Sequence, residues 1–333
     1  MLALIVLVAA AAAPGGANSR TVVGRAQVAQ RGMHQRQLRV HLTHVFGTNI
    51  PANRYGHYIA QLEAGVNASG QFVSDLDPIA PRRLTAPENA YRTYAEGWAQ
   101  TISRRVDLLG NAIARRRRGP AQRAWESAWS AYLHLGAVYG LLGSLDTRID
   151  GISGLVGSAN FGGLHRIEMG LWTGARLSSL TRFVAPLRAA VARLPHALAT
   201  VPITPLDYVL RGHEILEDAQ RDLVSGLDVP WSGQGVLGLA AGVAATREVI
   251  KTLTPLLRGR DNTLIEVDDE MLVLQRALAT IRSEHGGSWP SLSALTLRQR
   301  EFLDGTLAGT LSALSQIPGT LETTTVKPFP RLP

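Results

Sequence analysis

Cysteine is absent from the 333 residues. Its absence excludes disulfides, zinc-thiolate and iron–sulfur sites, thiol nucleophiles and haem attachment through Cys. Lysine is scarce as well: Lys251 and Lys327 are the only two among 34 basic residues, so the net charge of +8 is carried by arginine. A codon bias toward arginine accounts for that excess, and so does a surface that meets an anionic membrane or wall polymer. No stretch interleaves aromatic with basic residues, which argues against nucleic acid as a partner. Strand signals are missing too, with no sustained period-two alternation and no Asn-Gly hairpin turn. What is present is 45 % hydrophobic residues against 18 % charged, enough to bury a core.

Met1–Ala13 is an unbroken apolar run followed by Pro14-Gly15-Gly16 and the small residues Ala17 and Ser19. It has the length of a signal-peptide core and is too short to span a bilayer. No Lys or Arg precedes it, so residues 1–19 read as a signal peptide or an uncleaved N-terminal anchor. Either way the chain is expected to be exported, to the periplasm or the extracytoplasmic cell envelope. Residues 20–86 are poorly patterned, interrupted by Pro51, Pro78 and Pro81, and hold His34, His41, His44 and His57. If helical, they would make His41 and His44 a small second metal pair. A helical domain over 87–325 and a tail over 326–333 complete the expected organisation.

From Ala90 onward the apolar positions recur with helical period. Tyr94, Trp98, Ile102, Val106, Leu109 and Ile113 mark a helix to Ala114, closed by the cations Arg115–Arg118 and by Gly119-Pro120. Helices are further expected over 121–142, 164–172, 177–194, 205–224, 235–257, 266–284 and 291–316, with a Gly- and Asp-rich loop between 142 and 160. Long helices with short connections make this an all-α chain of bundle type. Gly235, Gly238 and Gly242 recur at helical spacing and favour close helix approach over a phosphate cradle, since no Lys-Ser or Lys-Thr follows.

The chemistry concentrates in Asn160-Phe-Gly-Gly-Leu-His165-Arg-Ile-Glu168-Met-Gly-Leu-Trp172. His165 and Glu168 share one face of a helix. An imidazole and a carboxylate aimed into a bundle interior are ligands a transition metal uses, and equally a plain ion pair. Arg166 is expected to brace a carboxylate. His213 and Glu217, at i and i+4, read as a structural pair.

The segment Gly163-Leu-His-Arg-Ile-Glu168 with Leu171-Trp172, preceded by Leu145-Asp146-Thr-Arg-Ile-Asp150, resembles the imelysin-like family of EfeO type. Tyr91-Arg-Thr-Tyr94, His213–Asp218 and Ala241–Arg247 extend the resemblance, in the form seen in actinobacterial members. It implies a pair of four-helix bundles and an iron-binding role in an EfeUOB-type uptake system. A membrane iron permease and a haem (DyP-type) peroxidase are the partners it implies. Two carboxylates of the family's metal site fall here on Leu133 and Gly136, and two Asp positions fall on Gly235 and Gly238. The set that remains is His165, Glu168 and Asp150, with His134 as a substitute fourth. Such a set favours Fe(II) or Zn(II) over the harder Fe(III).

Binding, not catalysis, is the expected role. The zincin pattern His-Glu-x-x-His is absent, and neither Ser153 nor Ser158 completes Gly-x-Ser-x-Gly, which argues against a peptidase. The competing reading is a non-metal module that docks through arginine on an anionic envelope polymer or on a protein partner. His165→Ala is expected to abolish metal binding and spare the fold.

Overall fold

Residues 76–152 and 161–323 are described by the computed structural model. All regular elements among them are helical. The first helix, α1, spans Thr85–Ala114 and begins before Ala90, after a 3-10 turn over Pro81–Leu84. Pro87 sits in its first turn, where the missing N–H breaks no helical bond. The face carrying Tyr91, Ala95, Ala99, Ile102, Val106, Leu109 and Ile113 is buried at three- and four-residue steps. Arg115–Arg117 end the helix exposed, as expected of a cationic C-terminus. Arg118 does more: its guanidinium donates to the carbonyls of Gly170 and Leu171 at the end of a neighbouring helix, beside the bonds these accept from the Ala175 N–H and the Gln122 side chain.

Helix α2, Arg118–Leu133, is shorter than the expected 121–142. Gly136 sits in a 3-10 turn so close to Ile215 that a Cβ would lie 2.9 Å from its Cγ1, and Gly140 and Gly143 take φ of +75° and +55°. These conformations end a helix. The segment expected to be loop holds a short helix, α3 (Ser144–Asp150). There follow α4 (Gly163–Trp172), α5 (Leu177–Val191), α6 (Leu194–Thr200) and α7 (Pro205–Asp218). Helix α7 runs on into a π-helical turn over Ala219–Val224. Then come α8 (Gly235–Leu257), α9 (Thr263–Glu284), α10 (Leu297–Leu314) and the single turn α11 (Ile317–Thr320). A capping box, Thr296 with Gln299, starts α10.

Packing closes two rings of four helices. In the first, α1 packs on α2, α2 on α4, α4 on α5 and α5 on α1; in the second, α7, α8, α9 and α10 do the same. Helix α8 also packs on α1 and α2 and so joins the rings. Gly238 permits the approach to α2, and Gly235 a similar approach to the π-helical turn. A Cβ on Gly235 would stand 2.1 Å from the Leu223 carbonyl oxygen, and one on Gly238 would stand 2.6 Å from the Trp129 ring. Gly242 has ordinary contacts only.

These helices lie in the unit Pro78–Thr324; the other unit, Met1–Asp77 with Thr325–Pro333, is outside the described residues except for Leu76 and Asp77. The leader run over 1–19, His34, His41, His44, His57 and the tail therefore lie outside them. Among the described residues no helix is long and apolar enough to cross a membrane.

Candidate metal centre

Gly163 sets the position of the site. Its φ is +62°, and a Cβ there would lie 2.3 Å from the Ile149 carbonyl oxygen and 2.7 Å from that of Arg148. Only glycine allows α4 to start this tightly against the end of α3. As a result His165, two residues into α4, meets Asp150, the last residue of α3. Trp125 fixes the same turn from α2, its indole N–H donating to the Leu164 carbonyl at 2.8 Å.

His165 is fully buried. Its Nε2 lies 3.2 Å from Asp150 Oδ1 and 3.4 Å from Asp228 Oδ1. Despite those distances, neither His165 Nε2 nor Asp150 Oδ1 has a hydrogen-bond partner in acceptable alignment. Buried polar atoms left in this state are rare and point to a missing partner. One nitrogen and two carboxylate oxygens, from Asp150, His165 and Asp228, lie within 4.8 Å of one another, a donor set that fits a metal ion.

Glu168 occupies a different place. Its Oε2 accepts from His165 Nδ1 at 2.9 Å, and its Oε1 accepts from the Ser232 backbone N–H at 2.8 Å. It therefore stands behind the imidazole, the arrangement by which a carboxylate orients a metal-binding histidine. His134 is engaged elsewhere. Its Nδ1 is 2.6 Å from the Tyr94 hydroxyl, and its ring stacks on Trp98 with centroids 3.6 Å apart. Arg166 does not brace a carboxylate; its guanidinium lies 4.7 Å over the Phe183 ring. His213 and Glu217 do pair, at 3.4 Å.

Asp228 escaped sequence reading. It lies in the turn between the π-helical segment and α8, its N–H donating to the Asp222 carbonyl at 3.0 Å. In Gly226-Leu-Asp-Val-Pro230 it looks like an ordinary turn aspartate, so no local signal marks it.

Burial by itself would lower the His165 pKa, but Asp150, Glu168 and Asp228 together hold it well above the usual histidine value. Burial drives Asp228 up to about 7, with His165 opposing and Asp150 adding to the rise. Asp150 is raised by burial as well, against the pull of His165. His134 moves the other way: burial pushes it down to about 4. A histidine with a depressed pKa favours folding in its neutral form. That contribution is complete above the ordinary pKa of 6.5 and is lost as pH falls toward 4. We expect the melting temperature of His134→Asn, which keeps an acceptor facing Tyr94, to fall less than that of wild type between pH 7 and pH 5. Equal falls in both proteins would refute this.

Asp150 and Asp228 also line a cavity of about 290 Å³ that includes Leu133, Tyr139 and Ile215. Leu133 borders it where a family carboxylate was expected. The acidity comes from aspartates on other elements instead.

No family model matches the chain. It is similar to the iron uptake system component EfeO of Escherichia coli (strain K12) and to that of Shigella flexneri. Each is 23 % identical over 180 residues, which is 54 % of this chain and 48 % of the relative. The chain thus spans about half the length of the curated relatives it matches. The likeness is distant and does not extend to an actinobacterial form or to imelysin features.

Proposed function

We propose that the chain is an exported iron-binding component of an uptake system, which captures iron as cargo and passes it to a membrane permease, with a haem peroxidase as a further partner. The observation that carries this reading is the buried pair His165 Nε2 and Asp150 Oδ1, facing each other beside Asp228 at ion-pair distance with no well-aligned hydrogen bond to either atom. Three protein ligands leave coordination positions open, which suits a cargo that must be released. Imidazole with two carboxylates suits Fe(II) or Zn(II). Glu168 would hold the imidazole and not the metal. Both of its oxygens are engaged, and we propose capture without catalysis.

Anaerobic calorimetric titration with Fe(II), then Fe(III) and Zn(II), tests this. Wild type should saturate, Asp150→Asn should not, and Glu168→Gln should bind about tenfold more weakly, as outer-shell changes do. Absence of saturable binding of any of the three metals would end the proposal. His165→Ala is a poorer probe than its spacing alone indicates. It leaves the buried carboxylates of Glu168 and Asp228 and the half-buried one of Asp150 without their counter-charge, at a cost on the order of 3–5 kcal/mol.

A further inference from the structure

The cavity in front of the centre reverses the sign of the molecule. The chain carries +8, yet Asp146, Asp150, Asp218, Asp222 and Asp228 line this one cavity and, among the described residues, no Lys or Arg does. Asp150 and Asp228 form its inner end, where the fully buried Nε2 of His165 faces them with no well-aligned hydrogen bond. Asp146 is engaged by the Tyr132 hydroxyl. Asp218 and Asp222 stand further out, 38 % and 30 % exposed, where α7 widens into its π-helical turn. Such turns recur at functional sites. Between the two aspartates lies a cation supplied by the chain itself. Arg221 reaches Asp218 Oδ1 at 2.8 Å and grips Asp222 through Nε at 3.0 Å and Nη2 at 2.6 Å. Its side chain is 62 % exposed, so little but these two pairings holds it in place.

We propose that Asp218 and Asp222 form an outer subsite for a hydrated divalent cation, which displaces Arg221 there and then passes inward to Asp150, Asp228 and His165. This rests on the iron-capture reading above. The outer pair would govern how fast the cation arrives, and the inner set how long it stays. Carboxylates at the mouth of a low-dielectric pocket raise the local concentration of cations and their on-rate, in a salt-dependent way.

The test is stopped-flow binding of Fe(II) under anaerobic conditions to the full chain, followed by quenching of tryptophan fluorescence. The rings of Trp125 and Trp129 lie 6.3 Å and 6.4 Å from that of His165, so the signal reports the inner set. Asp218→Asn/Asp222→Asn should slow association about tenfold at low salt, with dissociation unchanged and the difference shrinking at about 0.5 M salt. Arg221→Gln should act in the opposite direction and speed association. Glu301→Gln/Asp304→Asn, the same charge change on exposed residues of α10, should leave the rate as in wild type. An unchanged rate in the Asp218/Asp222 variant would overturn the outer subsite while leaving inner binding in place. Equal slowing in the α10 variant would also overturn it, by reducing the effect to net charge. If wild type gives no saturable quench that Asp150→Asn abolishes, the capture reading fails and the subsite with it.

Discussion

Asp228→Asn should weaken Fe(II) binding by about a hundredfold, on the scale of a few kcal/mol that one lost ligand represents. It should do so without destabilising the metal-free protein. The two effects part company for one reason. Asp228 is 7 % exposed and packed beside Asp150 and Glu168, and among the described residues His165 is the one cation paired with the three carboxylates. Burial and the neighbouring carboxylates work against its charged form. A neutral isostere removes that burden in the absence of metal and removes a donor in its presence. Calorimetry with Fe(II) reads the first effect and a thermal melt of the metal-free protein reads the second. A variant that binds as wild type does would show that Asp228 belongs to an ion-pair network and not to a metal site. A variant that binds weakly but melts many degrees lower would assign Asp228 to the fold.

Gly163→Ala should cost about 3 kcal/mol or more, among the largest single-residue effects in the chain, and should take metal binding with it. Two penalties coincide there. The positive φ strains any L side chain, and the added methyl would meet the Ile149 carbonyl oxygen at 2.3 Å. That oxygen belongs to backbone and cannot swing aside, so α4 must withdraw from α3. The distance between His165 and Asp150 would open as it does. Gly174→Ala separates the penalties: φ is +82° there, but nothing lies within 4 Å of the added Cβ. It should show only the conformational cost, about 1–2 kcal/mol, and should leave binding intact. Chemical denaturation of both variants measures the difference. Equal losses would mean that the close approach of α4 to α3 contributes nothing.

The helices were legible in the sequence because burial repeats at helical spacing, and Gly235–Leu257 coincides with its expected bounds for that reason. Where glycine conformations intervene, the reading failed. The expected helix over 121–142 stops at Leu133, and the positive φ of Gly140 and Gly143 bars its continuation to 142, while α3 hides in a stretch whose composition suggests loop. The π-helical turn was invisible, since 205–224 keeps a helical pattern throughout. For the site, the i,i+3 spacing put His165 and Glu168 on one helix face, and the structure brings the two side chains to 2.9 Å of each other. Spacing alone does not say whether two such groups turn outward to a shared ion or toward each other. Here they turn toward each other, and the second carboxylate beside Nε2 comes from Asp228, a non-local contact that no pattern within one helix encodes.

The two rings of helices give the proposed centre a mechanical meaning. His165 lies on α4 of the first ring and Asp150 on α3, which packs against α4 and α5, whereas Asp228 is held by the turn between α7 and α8 of the second. An ion shared by all three would add a cross-link between halves that also meet where α8 packs on α1 and α2 and where Gly136 meets Ile215. Ligand concentration would then enter the folding equilibrium directly, adding about 2.7 kcal/mol when free metal stands a hundredfold above its dissociation constant. The loaded carrier would resist unfolding and proteolysis that the empty one does not. Under iron starvation the pool of empty protein would be the part exposed to turnover, so that supply of the cargo would itself regulate the lifetime of the carrier.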